Sequence, residues 1–167
     1  MKTTPTALSF LSIGDSSPRT LVVRCSRAMQ EKSPRIFLFT RDGSSIVFSL
    51  GGSPKDIWYA TDDIASVPVA GGIPRRLTEG LDRNTSGLKL SPDGGHVLFL
   101  LEDAGNTHLA RLPVSRGRLE RMVSGDRDVN QFDVGPKGEL AVLETTFSQP
   151  AEISWSARAA HSRGSRR

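Results

Sequence analysis

The stretch Val67-Pro68-Val69-Ala70-Gly71-Gly72, continued by Arg75-Arg76-Leu77-Thr78, decides the fold of this chain because it occurs twice. The second copy is Leu112-Pro113-Val114-Ser115-Arg116-Gly117, continued by Glu120-Arg121-Met122-Val123, and it starts 45 residues after the first. Each copy reads as a strand, a polar turn with glycine and a second strand. The chain is therefore predicted to repeat one small β-unit.

A period of about 40–50 residues, with short strands and tight turns, is typical of the blade of a β-propeller. A single blade cannot bury its sheet faces without neighbours. Propellers usually close with about four to eight blades, whereas the 167 residues of this chain hold at most about three and a half such units. We therefore expect an all-β chain that forms a partial, open β-propeller, with two recognisable antiparallel blades and flanking strands.

Short apolar runs separated by Gly, Pro, Asp and Asn extend from Ile36 onward, as in other all-β folds. No window there shows the 3.6-residue apolar period of a helix. Glycine-containing turns at Arg41-Asp42-Gly43, Pro92-Asp93-Gly94-Gly95 and Pro136-Lys137-Gly138 are predicted to open successive blades. The predicted strands are 36–40, 44–50, 56–59, 64–69, 75–78, 97–101, 108–113, 119–123, 130–134 and 140–144.

The chain divides into three regions on this reading. Residues 36–153 carry the propeller blades. Residues 1–35 are either a degenerate blade or a segment unrelated to the repeat. They contain two apolar runs, 8–13 and 20–23, that match no part of the repeat clearly. Residues 154–167 have no apolar period and are rich in arginine and serine, so we expect a basic, disordered tail.

The distribution of charge argues against a nucleic-acid partner. The net charge is +4, but residues 1–153 contain 18 basic and 18 acidic side chains, and the excess comes from Arg158, Arg163, Arg166 and Arg167. Interspersed charges of both signs are typical of an ordinary solvated surface. We therefore expect the body of the chain to bind no nucleic acid.

Location is predicted from what the sequence lacks. Cys25 is the single cysteine, so an intrachain disulfide and a cysteine-based metal site are excluded, as suits a reducing compartment. The first residues lack the apolar region and small-residue cleavage site of a secretory signal. No stretch approaches the roughly 20 apolar residues that cross a bilayer. These features predict a cytoplasmic protein without a membrane partner.

A longer series of residues resembles a known family. The series contains Ser91-Pro92-Asp93-Gly94, the run from Glu102-Asp103-Ala104-Gly105-Asn106-Thr107-His108 to Val114, Asp126-Arg127-Asp128-Val129 and Phe132-Asp133-Val134. Gly71-Gly72-Ile73-Pro74 and the residues to Asn84 fit the same pattern, as does Gln149-Pro150-Ala151-Glu152-Ile153. From about residue 41 to 153 the chain resembles the β-propeller domain of prolyl oligopeptidase family serine peptidases, particularly the acylaminoacyl-peptidase-like branch.

This resemblance implies a function without chemistry of its own. In that family the propeller covers an α/β-hydrolase domain and restricts the active site to short peptides, whereas hydrolysis belongs to the hydrolase domain. That domain needs a Gly-x-Ser-x-Gly nucleophile turn, and this pentapeptide does not occur here. We therefore expect a non-catalytic propeller fragment whose parental role is to gate and position peptide substrate, with no catalytic residue, cofactor or metal. The arginine-rich end departs from the family pattern, as a truncated or frame-shifted reading frame would.

Two other functions are also compatible with the sequence. Propellers of the TolB type carry Pro-Asp-Gly turns too, so a protein-interaction module that binds a partner through its loops is the alternative. Exposed blade edges would also permit self-association, because an open sheet edge offers unpaired backbone groups. A GDSL-type esterase is the distant third, since Gly14-Asp15-Ser16-Ser17 resembles a nucleophile block and Asp93 and His96 have the spacing of its acid and base.

Structural roles are predicted for the remaining conspicuous side chains. His96, His108 and His161 show no metal-ligand spacing, and His108 is predicted to be a hydrogen-bonding residue at a blade edge. Asp126-Arg127-Asp128 is predicted to be a salt-bridged loop, because calcium loops need further oxygen ligands and a glycine. Trp58 and Tyr59 are predicted to pack between blades.

Overall fold

The computed structural model of the protein describes residues 36–51, 61–115 and 117–157. These ranges are built from strands and turns, and no helix occurs within them. The strands are β1 (Phe37–Phe39), β2 (Ser45–Leu50), β3 (Asp63–Pro68), β4 (Arg75–Arg76), β5 (Thr85–Leu90), β6 (His96–Asp103), β7 (Asn106–Pro113), β8 (Glu120–Val123), β9 (Asp128–Val134), β10 (Leu140–Thr146) and β11 (Gln149–Ser156).

The strands follow one another as antiparallel meanders. Strands β1 to β4 form a four-stranded sheet, which we call blade 1. Strands β5 to β8 repeat this arrangement as blade 2, and β9 to β11 begin it again as blade 3. A parallel bridge between Thr107 of β7 and Asp128 of β9 joins blades 2 and 3 into one sheet. The prediction of an all-β, open propeller with two antiparallel blades and flanking strands is confirmed.

The strand register repeats with the same period as the sequence. Ala65 lies opposite Arg76 where β3 pairs with β4, and Ala110 lies opposite Arg121 where β7 pairs with β8. Each residue of the second pair comes 45 positions after its counterpart in the first. The sequence repeat that predicted the blades is thus a repeat of backbone pairing as well.

The core lies between the blades. In one cluster, Val47 and Ile64 of blade 1 pack with Phe99 of blade 2. In a second cluster, Leu98 of blade 2 packs with Phe132 of blade 3. Because successive side chains of a strand point to opposite faces, β6 supplies both clusters, and its run of apolar residues is buried without interruption. Each large apolar side chain buried in this way contributes about 1.5–3 kcal/mol to the stability of the fold.

Strand β5, like β11, is not among the predicted strands. Its sequence, Thr85-Ser86-Gly87-Leu88-Lys89-Leu90, lacks a clear apolar alternation, and Gly87 interrupts it with a φ of +63°. The pairing of β5 with β6 shifts register between Ser86 and Lys89. A Cβ atom at position 87 would lie 3.4 Å from the side chain of Leu100, so glycine lets the bulged strand lie close to its neighbour.

Because β5 exists, the prediction that the glycine-containing turns open the blades is also wrong. These turns do not open the blades. They connect the first strand of each blade to its second, since residues 40–45 lie between β1 and β2, residues 91–96 between β5 and β6, and residues 135–139 between β9 and β10.

Strand β11 corrects the predicted start of the tail. The strand continues to Ser156, three residues beyond the predicted boundary at Ile153, because Ser154, Trp155 and Ser156 pair with Val142, Ala141 and Leu140 of β10. The remaining predicted tail, the predicted strand 56–59 and the N-terminal region 1–35 lie outside the described residues. Within the described part of the chain, no helix is long and apolar enough to cross a membrane.

Candidate functional site

The first Asp-Gly turn is held by its own side chains. The hydroxyl of Thr40 donates to Asp42 Oδ1 at 2.6 Å and accepts the backbone N–H of Ser45 at 3.0 Å. The N–H of Ser44 also donates to Asp42 Oδ1, at 3.1 Å. These donors, led by the Thr40 hydroxyl, lower the pKa of Asp42 from 3.8 to about 2. The carboxylate is therefore part of the turn.

The second turn repeats these contacts. Ser91 stands in the place of Thr40, and its hydroxyl donates to Asp93 Oδ1 and accepts the N–H of His96 at 2.9 Å. The N–H of Gly95 donates to the same carboxylate at 2.9 Å. Hydrogen bonding, chiefly from Ser91, holds the pKa of Asp93 below its usual value. The interpretation of Asp93 as a turn residue agrees with these contacts.

The third turn is one residue shorter than the first two and uses a different acid. The N–H of Gly135 donates to the carbonyl of Glu139 at 2.8 Å, and the N–H of Gly138 donates to the carbonyl of Gly135 at 3.0 Å. The carboxylate of Glu139 accepts the N–H of Lys137 at 2.9 Å. All three blades therefore present a glycine-containing turn, closed by backbone and side-chain hydrogen bonds, between their first and second strands.

Arg41 connects the first turn to the second. Its guanidinium Nη1 donates to the carbonyl oxygen of Pro92 at 2.8 Å. Gly94 approaches Arg41 so closely that a Cβ atom at position 94 would lie 2.7 Å from the Arg41 Cβ. The two turns thus lie against each other, and Arg41 is fixed at the junction.

A cleft of about 440 Å³ opens beside Arg41, between the second and third turns. This volume is within the range of about 300–1,000 Å³ that is usual for small-molecule sites. Its floor is apolar and includes the buried side chains of Leu98, Met122 and Leu140. Its rim carries cationic or polar groups from Arg41, His96, Arg111 and Lys137. We call this feature the turn cleft.

The rim of the turn cleft carries more positive than negative groups. Asp93 is the one carboxylate among the described lining residues, and its Oδ1 already accepts hydrogen bonds within its turn. Arg111 forms an ion pair with Glu120 at 2.8 Å. In contrast, no described residue forms a hydrogen bond or ion pair with the ammonium group of Lys137. The arrangement suits a ligand with an apolar group and a negative charge.

The opposite end of blade 2 carries a different set of charges. Arg83 donates to Asp103 Oδ1 at 2.8 Å, and Arg121 pairs with Asp103 Oδ2. The hydrogen bond from Arg83 is the main reason that the pKa of Asp103 is lowered. This carboxylate is thus neutralised by two guanidinium groups, as expected for a structural ion-pair network on a solvated surface.

His108 does not have its predicted role. The side chain is buried, and its Nδ1 atom has no hydrogen-bond partner among the described residues. The residue lies inside β7, which pairs with β6 on one side and with β8 on the other, so it is not at a blade edge. The preceding Gly105 made the residue look like a strand start, whereas β7 begins at Asn106.

The predicted salt bridge in the Asp126-Arg127-Asp128 loop exists, but its acid comes from another strand. Arg127 Nη1 pairs with Glu144 Oε2 of β10 at 2.9 Å. Asp128 Oδ1 accepts the N–H of Thr107 at 2.7 Å. Both residues therefore hold blade 3 together or fix it to blade 2. No group of three or more acidic, histidine or cysteine side chains that suits a metal ion occurs in the described ranges.

Most of the other residues considered in the sequence analysis lie outside the described residues. Ser16, Cys25, Trp58, Tyr59 and His161 all lie in undescribed segments. Of the proposed esterase residues only Asp93 and His96 can be placed, and both belong to the second turn.

Comparison with known proteins supports the fold. No family model matches the sequence, and no curated protein matches it either. Solved structures do match. Pyrococcus horikoshii acylaminoacyl peptidase is 23% identical with a TM-score of 0.53, over 70% of this chain and 18% of that one. The β-propeller domain of the Trilobed protease from Pyrococcus furiosus, described as having an open velcro topology, is 19% identical with a TM-score of 0.56, over 70% and 35% of the two chains. A putative TolB from Agrobacterium tumefaciens is 21% identical with a TM-score of 0.59, over 76% and 47%.

The chain is a partial, open β-propeller. It spans about a fifth to a half of the lengths of these structures. The predicted resemblance to the propellers of acylaminoacyl peptidases and TolB proteins is confirmed at the level of the fold. The esterase alternative gains no support from these matches.

Proposed function

We propose that this chain is a non-catalytic propeller module that gates and positions peptides for a serine peptidase domain. Its fold is that of propeller domains in acylaminoacyl peptidases and the Trilobed protease. Its sequence contains no Gly-x-Ser-x-Gly turn, which the α/β-hydrolase type of serine peptidase needs. The proposed contribution is therefore binding.

The turn cleft is the observation that carries this proposal. An apolar floor with a few polar groups at its rim is the usual composition of a ligand site. The rim is also well fixed, because Arg41 is hydrogen-bonded to Pro92 and the turns are closed by their own side chains. A peptide bound there would meet preorganised groups, which lowers the entropic cost of binding.

A TolB-like interaction module is the second candidate. The putative TolB structure matches a larger share of this chain, 76%, than the two peptidase structures do. In this case the loops and sheet edges would bind a folded protein partner. Such an interface buries about 1,200–2,000 Å², far more than one cleft offers.

Two measurements on the purified chain test the proposal. First, a fluorophosphonate probe should leave the chain unlabelled, with a known serine hydrolase as the positive control in the same reaction. Second, a mixture of dye-labelled pentapeptides should bind with a measurable change in fluorescence anisotropy. Labelling at a serine would contradict the non-catalytic role, and Ser16 is the position that would revive the esterase reading. Absence of peptide binding would favour the interaction module.

A further inference from the structure

We propose that the turn cleft binds the C-terminal residue of a peptide, with the α-carboxylate at the cationic rim and an apolar side chain on the floor. The inference rests on the proposed peptide-binding function and specifies the part of the peptide that is recognised. It goes beyond that function because it names one site and one chemical group.

The floor selects an apolar side chain. Leu98 and Met122 come from blade 2 and Leu140 from blade 3, and these side chains are 3%, 7% and 4% exposed. Leu98, Met122 and Leu140 therefore offer apolar contact to a ligand at the base of the cleft. Since an unpartnered polar group in such a place costs free energy, a polar last residue is disfavoured and a leucine or phenylalanine is favoured.

The rim selects a negative charge. Lys137 has no described partner for its ammonium group and stands in the third turn, whose backbone is fixed by Glu139. Arg41 lines the same cleft, with Nη1 held by the Pro92 carbonyl. Among the described lining residues Asp93 is the one acid, and its Oδ1 accepts hydrogen bonds within its own turn. A carboxylate bound in the cleft would therefore have the cationic groups of Arg41 and Lys137 in the lining around it.

The shape of the site explains why a chain end is favoured over an internal stretch of peptide. The second and third turns both line the cleft, so the floor lies at the base of a recess between the turn ends of blades 2 and 3. An internal peptide segment would have to enter and leave this recess. A terminus enters once, and it supplies the carboxylate itself.

The experiment uses the whole chain and a pentapeptide that carries an N-terminal dye and ends in phenylalanine. Binding is measured by fluorescence anisotropy for the free acid and for the C-terminal amide. The free acid should bind roughly tenfold more tightly, because a hydrogen bond to a charged group is worth about that factor in Kd. Equal affinity of acid and amide would overturn the carboxylate site and leave the peptide-binding function standing. No binding of either peptide would overturn both.

Charge reversal then locates the site. Lys137→Glu should weaken binding of the free acid by about tenfold or more and leave the amide nearly unchanged. Arg118→Glu is the matched control, because it changes the net charge equally at an exposed position that does not line the cleft. Equal losses in the two variants would overturn the site. Circular dichroism of both variants confirms that they fold.

A competitor separates the two sources of such a carboxylate. If a peptide end is the ligand, N-acetyl-phenylalanine should displace the labelled peptide only at much higher concentration than the unlabelled peptide. Displacement at equal concentrations would overturn the peptide as ligand and assign the cleft to small carboxylic acids.

Discussion

The contact between Arg41 and Gly94 predicts a large difference between two glycine substitutions that look alike in sequence. Gly43 and Gly94 occupy the same position in successive Asp-Gly turns, with φ of +66° and +74°. An alanine at either position pays about 1–2 kcal/mol for the left-handed backbone. At position 94 the new Cβ would also lie 2.7 Å from the Arg41 Cβ, whereas at position 43 no atom of the described residues lies within 4 Å.

The clash adds about 1–3 kcal/mol, the usual cost of forcing an extra methyl group into a packed site. Gly94→Ala should therefore lower the free energy of unfolding by about 2–5 kcal/mol, and Gly43→Ala by about 1–2 kcal/mol. Urea unfolding followed by circular dichroism measures both values. Equal m-values would show that the variants expose the same surface on unfolding, so that their free energies can be compared. Gly138→Ala, with φ of +85° and open space around it, is a second control.

A double variant tests whether the Arg41 side chain causes the additional destabilisation by Gly94→Ala. Arg41→Gly removes the Cβ atom that the new methyl group would meet. In that background, Gly94→Ala should cost no more than Gly43→Ala does in the parent chain. If Gly94→Ala and Gly43→Ala destabilise the parent chain equally, blades 1 and 2 do not meet at these turns and the reasoning is refuted.

Three further outcomes are expected. Thr40→Val should raise the pKa of Asp42 from about 2 towards 3.8, because the largest hydrogen bond that lowers it is removed; an NMR titration of the carboxyl carbon measures this, and an unchanged pKa would contradict it. Since the folded pKa of Asp42 is depressed, its stabilising contribution is present above about pH 3.8 and is lost as pH falls towards 2, and this loss should be smaller in Thr40→Val, because the hydrogen bonds from Ser44 remain. Phe99→Ala should destabilise the fold by about 3–5 kcal/mol, because the side chain is fully buried between blades 1 and 2, and a loss under 1 kcal/mol in urea unfolding would argue against that packing. Trp155→Lys should reduce concentration-dependent self-association in sedimentation velocity, because Ile153 and Trp155 are 78% and 73% exposed on β11, the last strand of the described sheet. Identical sedimentation of variant and parent at every concentration would exclude this sheet edge as a site of self-association.

The repeat at Val67 and Leu112 was enough to predict the blades, because one period of sequence corresponds to one period of strand pairing. For the predicted strands that the structure describes, each end lies within about two residues of the predicted one. Strand β5 could not be predicted, because its pairing depends on a bulge at Gly87 that only the neighbouring strand stabilises. Local apolar pattern carries no information about such a bulge.

The candidate site was harder to predict than the fold. Asp93 was correctly read as a turn residue, since Asp42 has the same place one blade earlier. Lys137 and Arg41 were seen only as turn residues, because a cleft between blades joins positions about 95 residues apart in the chain. The rotation of one blade against the next decides which turns meet, and no local spacing encodes it.

An NMR titration tests the central claim, that this propeller module binds peptides on its turn face, most directly. Backbone amide signals of the labelled chain are followed as an unlabelled pentapeptide with a free C-terminal phenylalanine is added. The prediction is that shifts concentrate at Asp93, His96, Lys137 and Gly138, which line the turn cleft, with little change at Ala104 and Gly105 on the opposite end of blade 2. Shifts centred on Ala104 and Gly105, or no shifts at saturating peptide, would contradict the claim.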